Sequence, residues 1–148
     1  MSLGVKTLSN TVTIILSGSS ISSIKIIVNK FGKVATVTKI VPKGRLLRIM
    51  DGNNVDKPTK TSIQWGNEAN KQHMEDSIGR WINHACSPTL RVDGCMPYLW
   101  AVKDILPGMP LTFNYFHNED NISSEFICFE CGLPVPRVGG CDYYKKSL

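Results

Sequence analysis

A mainly β fold with few short helices is what the sequence predicts, and three observations carry that reading. β-Branched and aromatic runs recur at 11–16 (TVTIIL), 24–28 (IKIIV), 46–50 (LLRIM), 98–102 (YLWAV) and 111–116 (LTFNYF); such residues suit a pleated, half-buried surface. Turn chemistry separates the runs at Ser17-Gly18-Ser19-Ser20, Val41-Pro42-Lys43-Gly44, Asp51-Gly52-Asn53-Asn54 and Leu106-Pro107-Gly108, because Pro presets φ and Gly accepts φ > 0. Stretches with helical spacing are few.

Taken in order, 11–16 and 24–28 read as strands, and 32–40 (GKVATVTKI) alternates as a half-buried strand would. Residues 46–50 form another short strand, and 61–65 (TSIQW) is a further candidate. The polar segment 70–77 (NKQHMEDS) reads as a loop or a helical turn. Residues 98–102 and 111–116 complete the strands, and from Cys128 the chain is rich in Cys, Gly and Pro with little core-forming pattern. No internal repeat or low-complexity tract is present.

At 148 residues and 42% hydrophobic content, the chain suits one compact domain with a small appendage. No apolar run reaches the roughly 20 residues a membrane helix needs, so no membrane partner is expected. Five cysteines is an odd number. Without a long apolar leader, that favours thiolate chemistry or metal binding in a reducing, intracellular compartment over a disulfide framework.

The net charge is +5 and unevenly placed: residues 1–48 hold eight Lys or Arg and no acid, whereas 49–148 hold nine bases and twelve acids. The basic third could face phosphate or an acidic surface, or be a solvated face. No arginine-rich run or aromatic set interleaved with bases is present, so sequence-specific nucleic-acid binding is not expected.

Three features carry chemistry. Asn83-His84-Ala85-Cys86-Ser87-Pro88 crowds polar groups between apolar flanks; such groups must be hydrogen-bonded or bind something, since each unpaired buried one costs roughly 1–3 kcal/mol. Residues by themselves allow a satisfied polar turn there. In Thr112-Phe113-Asn114-Tyr115, alternation puts Phe113 and Tyr115 on one strand face, either as a core pair or beside a ligand channel. Cys128-x-x-Cys131, with Gly132 after it and Cys141 further on, offers three thiolates. A structural zinc needs four ligands.

In order, Asn83-His84-Ala85-Cys86-Ser87-Pro88, Leu106-Pro107-Gly108 before Leu111-Thr112-Phe113-Asn114-Tyr115, and Cys128-x-x-Cys131-Gly132 resemble a SET-domain protein-lysine methyltransferase with a post-SET cysteine tail. Pro42-Lys43-Gly44 and Thr61-Ser62-Ile63-Gln64-Trp65-Gly66 are similar to the upstream segments of compact members. The resemblance implies small β-sheets around a pseudoknot, with an N-terminal extension at 1–25, the SET domain at 26–127 and a post-SET tail at 128–148.

It also implies a site. Gly32, Lys33, Arg80, Asn83 and His84 would bind S-adenosylmethionine. Tyr115 would be the catalytic tyrosine. Phe113 would occupy the position that limits methyl number, a Phe usually leaving room for di- or trimethylation. Cys86 would join Cys128, Cys131 and Cys141 on a structural zinc. The implied partner is a lysine-containing protein or peptide, a histone tail being one candidate. The implied place is nuclear or chromatin-associated in a eukaryotic or viral setting and cytoplasmic in a bacterial one.

Three positions depart from the family pattern: Val34 stands for the second glycine of G-x-G, Thr89 for the Asn after the proline, and Asn114 for the Asp before the tyrosine. They leave open a catalytically silent SET-like module that binds a protein or chromatin partner.

Overall fold

The computed structural model describes residues 5–8, 11–14, 22–30, 32–67, 69–93 and 95–136. Cys141 lies outside them. Along the chain run β1 (Val5–Leu8), β2 (Thr11–Ile14), β3 (Ser22–Asn29) and β4 (Gly32–Val37). Then come β5 (Leu46–Ile49), β6 (Asn53–Val55), β7 (Ile63–Asn67) and β8 (Asn70–Glu75). A 3₁₀ turn, Gly79–Trp81, leads into β9 (Asn83–His84). β10 (Leu90–Val92), β11 (Tyr98–Ala101), β12 (Thr112–Phe113) and a one-turn helix α1 (Tyr115–Asn118) follow. The hairpin of β13 (Phe126–Ile127) and β14 (Pro134–Val135) ends the described chain.

The strands form small separate sheets. β1 to β4 are antiparallel in sequence order, β11 lies between β10 and β5, and β8 lies between β6 and β7. β9 and β12 pair in parallel, Thr112 opposite Asn83 and Phe113 opposite His84. This mainly β architecture is the expected class, with the few short helices expected as well.

The main core draws on Ile24, Val37, Ile63, Leu99, Ile105 and Leu111 among others, and a smaller cluster of Cys86, Cys128 and Val135 packs the β13–β14 hairpin. Burying each such aliphatic side chain contributes about 1.5–3 kcal/mol. β4 differs from the half-buried alternation: Val34 through Val37 are all buried. The chain at 106–111 covers its second face. Thr36 Oγ1 donates to the Met109 carbonyl at 2.6 Å and accepts from Gly108 N at 3.0 Å, and Leu111 N donates to the Ala35 carbonyl at 2.8 Å. A strand covered on both faces loses its period-2 exposure signal.

Two more segments depart from expectation. The polar stretch after residue 70 is strand β8, not a loop or a helical turn, because its backbone supplies ladder bonds to β6 and β7 at once. Hydrogen bonds to two neighbours, with only Met74 fully buried, do what an apolar pattern does elsewhere. The strand expected at 111–116 stops at Phe113, where Asn114 caps α1 by accepting from Phe116 N at 2.9 Å. Asn is a favoured N-cap for this reason.

Candidate active site

The Asn83-His84 segment is aimed by a buried carboxylate. Asp76 accepts from Arg48 Nε and Nη2, both at 2.8 Å, and from the backbone amides of Asp51 (3.0 Å), Ile78 (3.2 Å) and Gly79 (2.7 Å). Burial pushes the Asp76 carboxyl up. The Arg48 hydrogen bonds and charge, with the Asp51 and Gly79 amides, outweigh that and hold it below the ordinary aspartate value. The 3₁₀ turn it initiates closes with Ile82 N on the Gly79 carbonyl at 3.0 Å. Gly79 packs so tightly that a Cβ there would stand 2.8 Å from Ile63 Cδ1 and 3.1 Å from Asp76 Oδ2.

His84 is 1% exposed. Its Nδ1 accepts from Tyr115 N at 3.1 Å, which ties β9 to the start of α1. Burial drives its pKa down to about 4, so the ring is neutral at neutral pH. With Nδ1 accepting, the single ring proton of that neutral form sits on Nε2.

Tyr115 opens α1 just after β12, and its hydroxyl donates to the Ile82 carbonyl at 3.3 Å. Burial, then the nearby Glu119 charge, raises its pKa well above the ordinary phenol value, so it stays a neutral donor. Its ring meets His84 edge-on with centroids 5.2 Å apart, and Phe126 in the same manner at 5.8 Å. Phe113 lies 4.7 Å from it, ring to ring, and is 2% exposed.

A pocket of about 380 Å³ opens over these groups. Asn83, His84 and Tyr115 line it together with Glu119, Phe126 and Phe129, and Thr59, Lys60 and Ser62 line it from the segment before β7. A second cavity of about 250 Å³ is lined by Leu90, Phe113, Asn114 and Asn118 among others. Phe113 and Tyr115 therefore touch each other but border different spaces. The expected residues divide in the same way. Asn83, His84 and Tyr115 converge, while Gly32, Lys33 and Arg80 lie outside the lining of either cavity. Lys33 Nζ and Arg80 Cζ instead stand 5.3 Å and 5.2 Å from the Trp81 ring centroid. Val34 is 2% exposed, so the side chain that replaces the second glycine is taken up by packing and does not line the pocket.

Three thiols converge beside the pocket. Cys86 Sγ lies 3.5 Å from Cys128 Sγ and 3.6 Å from Cys131 Sγ. None of the three forms a disulfide. Cys86 Sγ also lies 3.6 Å from His84 Nε2, and His84, Cys86 and Cys128 form a compact donor cluster. Sulfur separations near 3.7 Å are what tetrahedral zinc–thiolate geometry requires, given Zn–S of about 2.3 Å. The Nε2 proton makes His84 a donor to sulfur and a poor metal ligand, so the thiols suit a zinc ion better than the imidazole does. Gly132 allows the turn that folds the tail over Cys86: its φ is +74° and its N–H donates to the Cys128 carbonyl at 2.8 Å.

Residues 16–116 match the SET domain. The chain belongs to the SET-domain family. This SET-domain chain is 40% identical over 68 residues to the histone-lysine N-methyltransferase SETMAR of Rattus norvegicus, a match covering 39% of this chain and 21% of that protein. The Mus musculus protein of the same name matches 46 residues at 46% identity, or 26% of this chain and 15% of that one. The chain thus spans about a fifth or less of these relatives.

Among solved structures it resembles the methyltransferase domain of human histone-lysine N-methyltransferase SETMAR, with TM-score 0.56, 20% identity, and coverage of 72% of this chain and 53% of that one. It also resembles KRYPTONITE in complex with mCHH DNA, H3(1-15) peptide and SAH, with TM-score 0.53, 18% identity, and coverage of 78% and 29%. At such identities the likeness is one of fold.

Sequence reading missed several contributors. The Arg48–Asp76 anchor had one available signal: an aspartate followed two and three residues on by amides of a turn is a local capping pattern. Thr59, Lys60 and Ser62 and the tail aromatics Phe126 and Phe129 carry no pattern that points to a pocket; only tertiary folding brings them there. Among the described residues, no helix is long and apolar enough to cross a membrane.

Proposed function

We propose that this SET-domain chain is a protein-lysine N-methyltransferase that takes its methyl from S-adenosylmethionine and delivers it to a lysine of a protein substrate, a histone tail being the first to test. The observation that carries this reading is the convergence of Asn83, His84 and Tyr115 on one pocket. The histone-lysine methyltransferase relatives and the peptide-bound SET neighbour support the substrate class.

In this reading Asn83 and His84 hold the cofactor; Gly32, Lys33 and Arg80, expected to join them from β4 and the 3₁₀ turn, lie outside the pocket lining. When bound, S-adenosylmethionine supplies a methyl on a cationic sulfur. The protein's work is to present a neutral amine along one axis. A free lysine has a pKa near 10.4, so almost none is neutral at about pH 7. An apolar wall of Phe126, Phe129 and Tyr115 disfavours the ammonium, and fixed orientation lowers the barrier further. Tyr115 is the catalytic tyrosine; its hydroxyl, kept protonated, orients the reacting groups. Phe113, packed against the Tyr115 ring, would limit the methyl number through the position of that ring and leave room for more than one.

Cys86, Cys128 and Cys131, with Cys141, would hold a structural zinc that ties the tail at 128–148 to the SET body at 26–127, residues 1–25 being an extension. Such a zinc would contribute folding energy rather than chemistry. In a eukaryotic or viral setting the place of action is chromatin.

The alternative of a silent module rests on Val34, Thr89 and Asn114; of these, Val34 is buried within β4 and stays out of the pocket lining, which weighs against that alternative. Two assays test the reading together: labelled methyl transfer to core histones, and calorimetric titration with S-adenosylmethionine. Transfer to lysine with saturable cofactor binding is expected. Absence of both would overturn it.

A further inference from the structure

Glu119 is a carboxylate on the pocket wall without an evident structural need for its charge. It follows α1 directly, and its N–H donates to the Tyr115 carbonyl at 2.7 Å. Four residues apart on a helical turn, the two side chains share a face, and both line the same pocket. Only one carboxylate oxygen is committed: Oε2 accepts from Gln64 N at 2.8 Å and from Asn118 Nδ2 at 2.5 Å. Asn118 is held in turn by the Gln64 carbonyl at 2.8 Å. Among the described residues, Oε1 has no hydrogen-bond partner.

Resting on the methyltransferase reading above, we propose that Glu119 is the proton acceptor for the substrate lysine. An ammonium entering the pocket donates a proton to Oε1. The N–H bond breaks, an O–H bond forms, and the lone pair is left on nitrogen. That pair forms the new N–C bond as the methyl's bond to sulfur breaks, the bonding electrons staying on sulfur. The product is an N-methylammonium, and Glu119 returns its proton to solvent.

The surroundings suit that task. Burial raises the Glu119 pKa to about 7, against the lowering effect of the Gln64 amide and Asn118 and with a further push from Asp120. A base poised near the working pH is the most effective. Asp120 is itself engaged by Lys71 at 2.5 Å and by Gln64 Nε2 at 3.3 Å, and His73 on β8 acts on it as well. Lys60, His84 and Tyr115 line the same pocket. Asp120 raises the Glu119 pKa, His84 and Tyr115 are neutral, and the cation in the pocket lining is Lys60.

The test compares Glu119→Gln with the full chain, measuring kcat and KM for methyl transfer to a histone tail peptide between pH 6 and 10. Wild-type kcat should rise with pH through a limb near 7, as the carboxylate ionises. In Glu119→Gln that limb should vanish and kcat at neutral pH should fall about 100-fold, with KM little changed and melting temperature close to wild type because the amide can still accept from Gln64 N. An unchanged limb, or a KM rise at constant kcat, would overturn proton transfer and leave Glu119 an electrostatic anchor. If Glu119→Gln fails to fold, Glu119→Asp decides: a limb retained with lowered kcat supports the role, and an unaltered kcat overturns it. A wild-type chain that transfers no methyl at any pH overturns the methyltransferase reading itself and this role with it.

Discussion

Arg48 and Asp76 meet through two 2.8 Å hydrogen bonds in the interior, their side chains only 5% and 0% exposed. The pair joins β5 to the turn that aims Asn83 and His84. The same carboxylate also accepts three backbone amides, so it satisfies both a buried cation and the start of a 3₁₀ turn. Losing one partner of a buried pair strands the other charge and costs about 3–5 kcal/mol.

Asp76→Asn should therefore lower unfolding free energy by several kcal/mol in a urea titration. It should also weaken cofactor binding, because the turn loses its anchor. The pH dependence follows from the lowered carboxyl pKa. The folded state binds this proton less readily than the unfolded chain. Stability from Asp76 is thus present above the ordinary aspartate pKa of 3.8 and is lost as pH falls below it. Acid melts of wild type should show this loss and those of Asp76→Asn should not.

Tyr115→Phe separates chemistry from folding. Among the described residues the hydroxyl makes one hydrogen bond, to the Ile82 carbonyl, whose net worth is about 1 kcal/mol. Removing a preorganised donor at a reacting centre costs about 100-fold or more in kcat. Methyl transfer should fall by at least that factor while the melting curve barely moves. Transfer at the wild-type rate would remove Tyr115 from the chemistry.

Gly79→Ala tests the packing beneath the site. Its new Cβ would enter 2.8 Å from Ile63 Cδ1, and overpacking of this kind costs about 1–3 kcal/mol. Differential scanning calorimetry should show a lower melting temperature, and calorimetric affinity for S-adenosylmethionine should drop with it.

The thiol cluster predicts metal dependence. Cys128 is fully buried, 3.5 Å from the Cys86 sulfur. Elemental analysis should find zinc, and a strong chelator should lower the melting temperature. Cys128→Ser should reduce metal content to the same degree as Cys86→Ser. Full-length protein free of metal and unaffected by chelator would leave the tail held by packing alone.

Much of the fold was legible before any coordinates. The strands at 24–28, 46–50 and 98–102 announced themselves because each has an apolar face on a common core, and burial writes a residue pattern directly into sequence. β8 did not, since its pairing is paid for by backbone bonds to two flanking strands, which leave no trace in side-chain type. The end of the β12 strand at Phe113 was likewise hidden: Asn114 looks like any strand residue until its side chain is seen to cap α1.

At the site, the sequence by itself supplied the candidate parts: the Asn83-His84 pair, Tyr115, and the thiols of Cys86, Cys128 and Cys131, singled out by their order and by the family pattern they resemble. Only the tertiary structure decided that Asn83, His84, Tyr115 and Glu119 share one pocket while Lys33 and Arg80 gather on Trp81 outside it. The reason is physical. Residue identity sets which bonds a group can make, but distance in space is set by parallel pairing of β9 with β12 and by the closing of the tail, across sequence separations that no local pattern spans.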